Sequence, residues 1–280
     1  MAQDRLPSEV LSLSVRHRLL LTRCRRRLQG ARRHTVPSMD TGRGRSFGSI
    51  ARTYDRARAS YPTEALGWVL EHIETGAGTR VLDLGAGTGR LSAVLLGMGV
   101  DVVAVEPDDA MRALVPAGAQ ALAGTAEQIP LPDRSVNAVM VGQAWHWFDH
   151  EQALAQVRRV LRPGGVLGLL WNVFDDRVPW VAELVAAASA EDRLSAMDDE
   201  LPYEGDPVPE RREFAHSQAM TRDLLVDNLA SRSRTVLMPP AAREDLLRRV
   251  REVAPADAFE LHWICDTWRA RVPGFADLQS

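Results

Sequence analysis

The 280-residue chain has 34 basic and 37 acidic side chains, 45% apolar residues and two cysteines, a size and composition suited to one α/β domain with additions. Every basic residue is arginine, which excludes a lysine Schiff base and a P-loop. Cys24 and Cys265 form no CxxC pair, which argues against structural zinc and fits a reducing cytoplasm.

The net charge of −3 is unevenly spread. Residues 1–38 hold nine arginines against Asp4 and Glu9, so the rest of the chain is strongly acidic. An acidic body is a poor general nucleic-acid binder. The Arg-rich segment is too charged for a secretory signal, and no apolar stretch approaches the ~20 residues of a membrane span. The segment reads as a disordered extension, either a basic tail for nucleic acid or anionic lipid or sequence upstream of a start at Met39. Recognisable domain sequence begins just after Met39 and runs through 39–280.

Phe47–Ala57 is expected to be helical, with Phe47, Ile50, Ala51 and Tyr54 on one face. Pro62 opens a second helix through Leu66, Val69, Leu70 and Ile73. Strand one begins near Arg80, followed by a helix over Arg90–Gly97, a strand over Val100–Glu106 and a helix over Asp108–Val115. A short strand around Gln120–Ala123 precedes a fourth strand over Ser135–Gly142. Asp149 and Gln152 form a capping box for a helix that turns Leu154, Val157 and Leu161 inward. Arg162-Pro163-Gly164-Gly165 ends it, and Val166–Trp171 reads as a strand buried on both faces. The alternation predicts a doubly wound, mostly parallel sheet.

Beyond Trp180 the rhythm changes. A helix to about Arg193 and an acidic loop or flap over Asp198–Glu210 are followed by candidate strands over Glu213–Ala219 and Phe259–Arg269. Helices over Arg222–Ala230 and Ala241–Val253 lie between them. Leu246, Val250 and Val253 form the inward stripe of the second.

The most informative stretch is Val81-Leu82-Asp83-Leu84-Gly85-Ala86-Gly87-Thr88-Gly89. An apolar strand runs into a glycine-rich turn and a helix, and the next strand ends in a carboxylate at Glu106. That unit grips a nucleoside ribose. A dinucleotide fingerprint needs a small residue in the sixth position, but Arg90 or Ser92 stands there. The pattern present is Gly-x-Gly-x-Gly followed by an acidic strand end.

Asp-Leu-Gly-Ala-Gly-Thr-Gly resembles motif I of the class I S-adenosylmethionine-dependent methyltransferases, and Val-Ala-Val-Glu-Pro-Asp resembles their acidic motif. Residues 45–172 are similar to the type 11 small-molecule methyltransferases, including relatives of trans-aconitate methyltransferase. The segments FGSIARTYDRARASYP, VVAVEPDDAMR, GTAEQIPLPDRSVNAV, QAWHWFD and LRPGG carry the likeness. It implies an α/β fold with a doubly wound seven-stranded sheet, the last strand inserted antiparallel. An N-terminal helical lid and a C-terminal helical cap within 173–280 complete it.

The same resemblance assigns S-adenosyl-L-methionine to Asp83, Gly85, Ala86, Gly87 and Gly89, with the ribose on Glu106 and Pro107 and Met111 against the adenine. Thr125, Ala126 and Glu127 line the adenine pocket, the Glu127 side chain reading the ring edge. Gln143 and Ala144 lie beside the methionine part. Glycines without Cβ let the main chain reach this ligand, and the helix after Thr88 offers N–H groups to its carboxylate.

Tyr54, Arg58 and Tyr61 belong to the lid. Trp145-His146-Trp147-Phe148 falls where sheet order reverses, so its aromatic faces either wall the sulfonium or plug the helix against the sheet. His146, with Tyr54, is the catalytic candidate, as general base for a hydroxyl or amine. His146 and His150 flank the Asp149 cap and share no helical face, so no metal is expected. The expected acceptor is a small molecule, and the expected state is a cytoplasmic monomer or homodimer. The other readings are a non-catalytic cofactor- or partner-binding module and an RNA or protein methyltransferase.

Overall fold

The computed structural model describes residues 58–76, 78–188, 209–232, 235–236, 238–256 and 258–271. The Arg-rich extension, the helix expected over Phe47–Ala57 with Tyr54, and the 198–208 part of the acidic stretch lie outside these residues. Among the described residues, no helix is long and apolar enough to cross a membrane.

Seven strands form one sheet: β1 (Arg80–Leu84), β2 (Asp101–Val105), β3 (Gln120–Leu122), β4 (Val136–Gly142), β5 (Leu161–Phe174), β6 (Glu210–Met220) and β7 (Phe259–Arg271). Their order is β3-β2-β1-β4-β5-β7-β6. The first five pair in parallel, and β7 runs antiparallel between β5 and β6. The chain winds outward from β1 in one direction and from β4 in the other. The crevice above the carboxyl ends of these two neighbours is therefore the switch point where such sheets bind ligands.

The strands bury both faces because helices cover both. Helices α1 (Thr63–Val69) and α2 (Arg90–Gly97) pack Leu66, Val69, Leu91 and Leu95 on Val81, Ala138, Met140 and Leu170. Helix α4 (His150–Val160), which follows the single-turn α3 (Asp109–Arg112), covers the other face. There Ala153, Val157 and Val160 meet Leu82, Val139, Leu167 and Leu169. Each such fully buried side chain contributes about 1.5–3 kcal/mol. Gly168 on β5 lets α1 approach, since a Cβ there would come within 2.6 Å of the Val69 Cγ1.

A third core is formed by the cap helices α5 (Pro179–Ala188), α6 (Arg222–Ala230) and α7 (Pro240–Val253). Val181, Leu184, Leu225, Leu229, Leu246 and Val250 meet Trp263 of β7 and Phe174 of β5 there. Arg269 of β7 ties α1 to the antiparallel pair. Its guanidinium donates to the Trp68 carbonyl (2.6 Å), Glu71 (2.8 Å) and Glu210 (2.9 Å), over the Trp68 ring.

Several boundaries differ from the sequence expectation. Helix α1 stops at Val69, with Pro62 as its N-cap residue, so Ile73 falls outside it and is only partly buried. Helix α4 buries Ala153, Val157 and Val160, while Leu154 packs against the same core only partly buried. Leu161 already has extended backbone and opens β5, because pairing with Val136 of β4 extends that strand backward across a register shift. Strand β6 begins at Glu210, inside the expected flap, since β7 offers partners along its whole length.

Candidate active site

The turn after β1 is built by glycines in the left-handed region: φ is 71° at Gly85, 57° at Gly87 and 82° at Gly89. Only glycine adopts such angles without a Cβ penalty. Two of the three approach protein, contrary to the expectation that all serve the ligand. A Cβ on Gly85 would come within 2.8 Å of the Ala144 Cβ, and one on Gly89 within 2.5 Å of the Pro116 Cδ. Gly87 faces open space, with the Met111 Sδ at 3.9 Å its nearest neighbour.

Glu106 stands immediately after β2 and is only 7% exposed. One carboxylate oxygen accepts the Gly87 N–H (2.8 Å) and the other accepts the Asp108 N–H (2.9 Å). Burial raises its pKa above the ordinary glutamate value, against the opposing pull of these two N–H groups. A carboxylate has about four lone-pair sites, so both oxygens retain accepting capacity. Asp108 caps α3 by accepting from Ala110 and Met111, which carries buried Met111 to the same turn, while Pro107 is exposed.

Asp83 is 1% exposed and one of its oxygens accepts the Ser92 hydroxyl at 2.6 Å, which braces the turn. Loss of solvation pushes its pKa up to about 7, against the stabilising Ser92 hydrogen bond.

Glu127 is also committed within the protein: its Oε1 accepts the Asp149 N–H at 3.0 Å. The Asp149 side chain accepts the Gln152 N–H (3.1 Å) and side-chain amide (2.8 Å). The predicted cap is real, but the reciprocal carboxylate comes from Glu127, twenty-two residues upstream. Beside it, Ala126 is buried and Thr125 exposed.

The aromatic cluster divides. Trp145 and Phe148 pack edge-on into the core below the turn, and Phe148 also fills the space beside Gly85. His150 stacks on Trp145 and contacts its carbonyl. His146 and Trp147 pack on each other and are exposed. Crowding around the His146 ring, then the charges of Arg58 and His150, push its pKa below the usual histidine value.

A cleft beside the turn is lined by Arg58, Ala59 and Tyr61 of the lid segment, Arg90 and Leu91 of α2, and Gln143, Asn172 and Trp263. Gln143, just past β4, is a non-glycine residue with φ of 57°, a strained conformation of the kind found at ligand sites. Its side-chain amide donates to the Asn172 carbonyl at 2.8 Å. Trp263 is 2% exposed and its indole N–H has no hydrogen-bond partner in the fold, an orphaned donor facing a cost unless something meets it. Tyr61 lies across Gly142, where a Cβ would approach its hydroxyl to 2.4 Å.

The sequence placed Arg58, Tyr61 and Gln143 here, while Ala144 packs against Gly85. It missed Arg90, Asn172 and Trp263 in the lining, and His216, which bonds to Asn172 from β6. Arg90 adjoins the glycine motif and Asn172 is the first polar residue after an apolar strand, so both left a signal. Trp263 and His216 left none. Among the described residues, no three potential metal ligands cluster.

A family model described as a methyltransferase domain matches residues 82–169. An uncharacterized methyltransferase of Mycobacterium bovis is 45% identical over 224 residues, covering 74% of this chain and 85% of that protein. A solved structure from Anaeromyxobacter dehalogenans, described as a type II methyltransferase, is 22% identical with a TM-score of 0.56, covering 78% of this chain and 99% of its own. One from Anabaena variabilis, also described as a methyltransferase, is 22% identical with a TM-score of 0.52, covering 76% and 98%. With the glycine turn, the acidic strand end and the antiparallel seventh strand in place, the chain belongs to the class I S-adenosylmethionine-dependent methyltransferases.

Proposed function

We propose that this protein transfers a methyl group from S-adenosylmethionine to a small-molecule acceptor bound in the cleft beside Gln143. The observation that carries the reading is the pairing of Gly87, open above, with Glu106, whose carboxylate is fixed by two backbone N–H groups. Such a carboxylate is preorganised to accept from a ribose diol, and each charge-assisted hydrogen bond contributes about 1.5–3 kcal/mol. Met111 and Ala126 offer an apolar slot for the base, while Gln143, Ala144 and the amino end of α2 border the amino-acid part.

The bound cofactor supplies a sulfonium whose methyl is electrophilic. An acceptor oxygen, nitrogen or carbon forms the new bond to that methyl as the old sulfur–carbon bond breaks, leaving S-adenosylhomocysteine. The protein's part is alignment and exclusion of water, and held geometry alone supplies about 7–11 kcal/mol. His146, whose pKa is lowered by crowding and by the charges of Arg58 and His150, takes the proton if the acceptor is a hydroxyl or amine. The cleft lining holds two arginines and no acidic side chain, which favours an acceptor bearing a carboxylate; a carboxylate oxygen that is itself methylated needs no base.

Titration calorimetry with S-adenosylmethionine on wild type and Glu106→Ala tests the cofactor reading; equal binding by both would remove the ribose role. Incubating a metabolite extract with methyl-labelled cofactor, then separating products by mass, identifies the acceptor. Binding without any labelled product would favour a non-catalytic module.

A further inference from the structure

Asn172 makes three hydrogen bonds that join four parts of the fold. Its Nδ2 donates to the Ser60 carbonyl of the lid segment at 2.9 Å. Its own carbonyl accepts from the strained Gln143 side chain. Its Oδ1 lies 3.0 Å from the Nε2 of His216, which sits two strands away on β6 and reaches across β7.

The chemistry fixes the protons. The opposite amide orientation would set Oδ1 against the Ser60 carbonyl, two acceptors face to face. With Nδ2 committed to Ser60, Oδ1 can only accept, and His216 must present an N–H at Nε2. The Ser60 carbonyl thus sets which way the Asn172 amide points, and the His216 N–H holds that amide in place from its other end. The amide in turn holds the lid segment of Arg58, Ala59 and Tyr61 over the cleft.

We infer that His216 is a positioning residue for the amino-acid end of the cofactor site, acting through Asn172 on Ser60. It touches no part of the proposed cofactor position. It lies on the edge strand of the sheet, in the part of the chain outside the matched methyltransferase domain. The inference rests on the cofactor reading above. It adds that the antiparallel extension sets the position of residues 58–61 as well as completing the sheet.

The test compares two probes by titration calorimetry: S-adenosylhomocysteine, and 5′-methylthioadenosine, which lacks the amino-acid part. His216→Leu keeps the bulk and removes the N–H. It is expected to weaken S-adenosylhomocysteine about five- to tenfold, the worth of one hydrogen bond, while leaving methylthioadenosine within about twofold. His216→Gln, which carries an amide N–H to a similar reach, should restore affinity for the longer ligand. If the leucine variant fails to fold, His216→Asn, whose amide stops short of Asn172, should show the same selective loss.

Equal weakening of both probes, no weakening of either, or no rescue by glutamine would each overturn the positioning role. Failure of wild type to bind either probe would overturn the cofactor reading itself, and the inference with it. That result is distinct from a wild type that binds both and variants that bind alike.

Discussion

Replacing Glu106 with Gln tests the site at its most constrained point. The wild-type carboxylate accepts two backbone N–H groups, from Gly87 and Asp108, one on each oxygen. Glutamine has a single acceptor oxygen, so its NH2 must confront one of those donors. A buried N–H left without a partner costs about 1–3 kcal/mol. Removing a charge buried to 7% exposure returns part of that, because burial disfavours the ionised form. The expected net loss of folding stability is about 1–2 kcal/mol, read as a shift in the urea midpoint with unchanged slope. The ligand effect is larger. Loss of a charge-assisted bond to the ribose is expected to weaken S-adenosylhomocysteine about 10- to 100-fold by calorimetry. A variant binding within twofold of wild type, with an unmoved urea midpoint, would refute both the strain argument and the ribose role.

Asp83 makes stability depend on pH. Its folded pKa, about 7, lies above its unfolded value of 3.8, so the folded state holds the proton more tightly. Stability is full below the unfolded value and is lost as pH rises towards 7, by up to about 4 kcal/mol for so buried a group. Asp83→Asn should flatten this profile in urea titrations between pH 4 and 7 and stabilise the protein at neutrality; an unchanged slope would reject the assignment. Gly89→Ala sets a Cβ against Pro116 and the Val115 backbone at positive φ, so a loss of about 2–4 kcal/mol is expected in thermal unfolding. Wild-type stability in that variant would show that the turn relaxes. Because the pKa of His146 is lowered, the acidic limb of kcat for a hydroxyl or amine acceptor should fall below pH 6.5. His146→Gln should remove that limb and slow turnover about 100-fold or more; an unshifted limb would assign the proton to another group.

Much of this architecture was legible in the chain. The helix over Arg90–Gly97 and the helix over Arg222–Ala230 fall where the pattern put them, because spacing of apolar residues and glycine breaks are local signals. The seven-stranded sheet followed from β-α alternation and from the family likeness. Boundaries drifted where a tertiary partner extended an element. Strand β5 reaches back to Leu161 through β4 and on to Phe174 through β7, which no local pattern encodes.

The site divides in the same way. The positive φ of the glycine turn and the Gly87–Glu106 hydrogen bond arise within a strand-turn-helix-strand unit, so backbone sterics and one carboxylate at a strand end announce them in the sequence. Nothing in the sequence signalled that the Asp83 carboxylate would accept the Ser92 hydroxyl across the turn. Nor did the sequence show that one Glu127 oxygen would accept the Asp149 backbone N–H. Asn172, Ser60 and His216 come together only when β7 inserts between β5 and β6 and the lid segment folds over. Local sterics and periodicity write themselves along the chain, and they determined the fold and the turn. The partner of a polar side chain is set by which distant strands pack together, and that only the folded sheet decided.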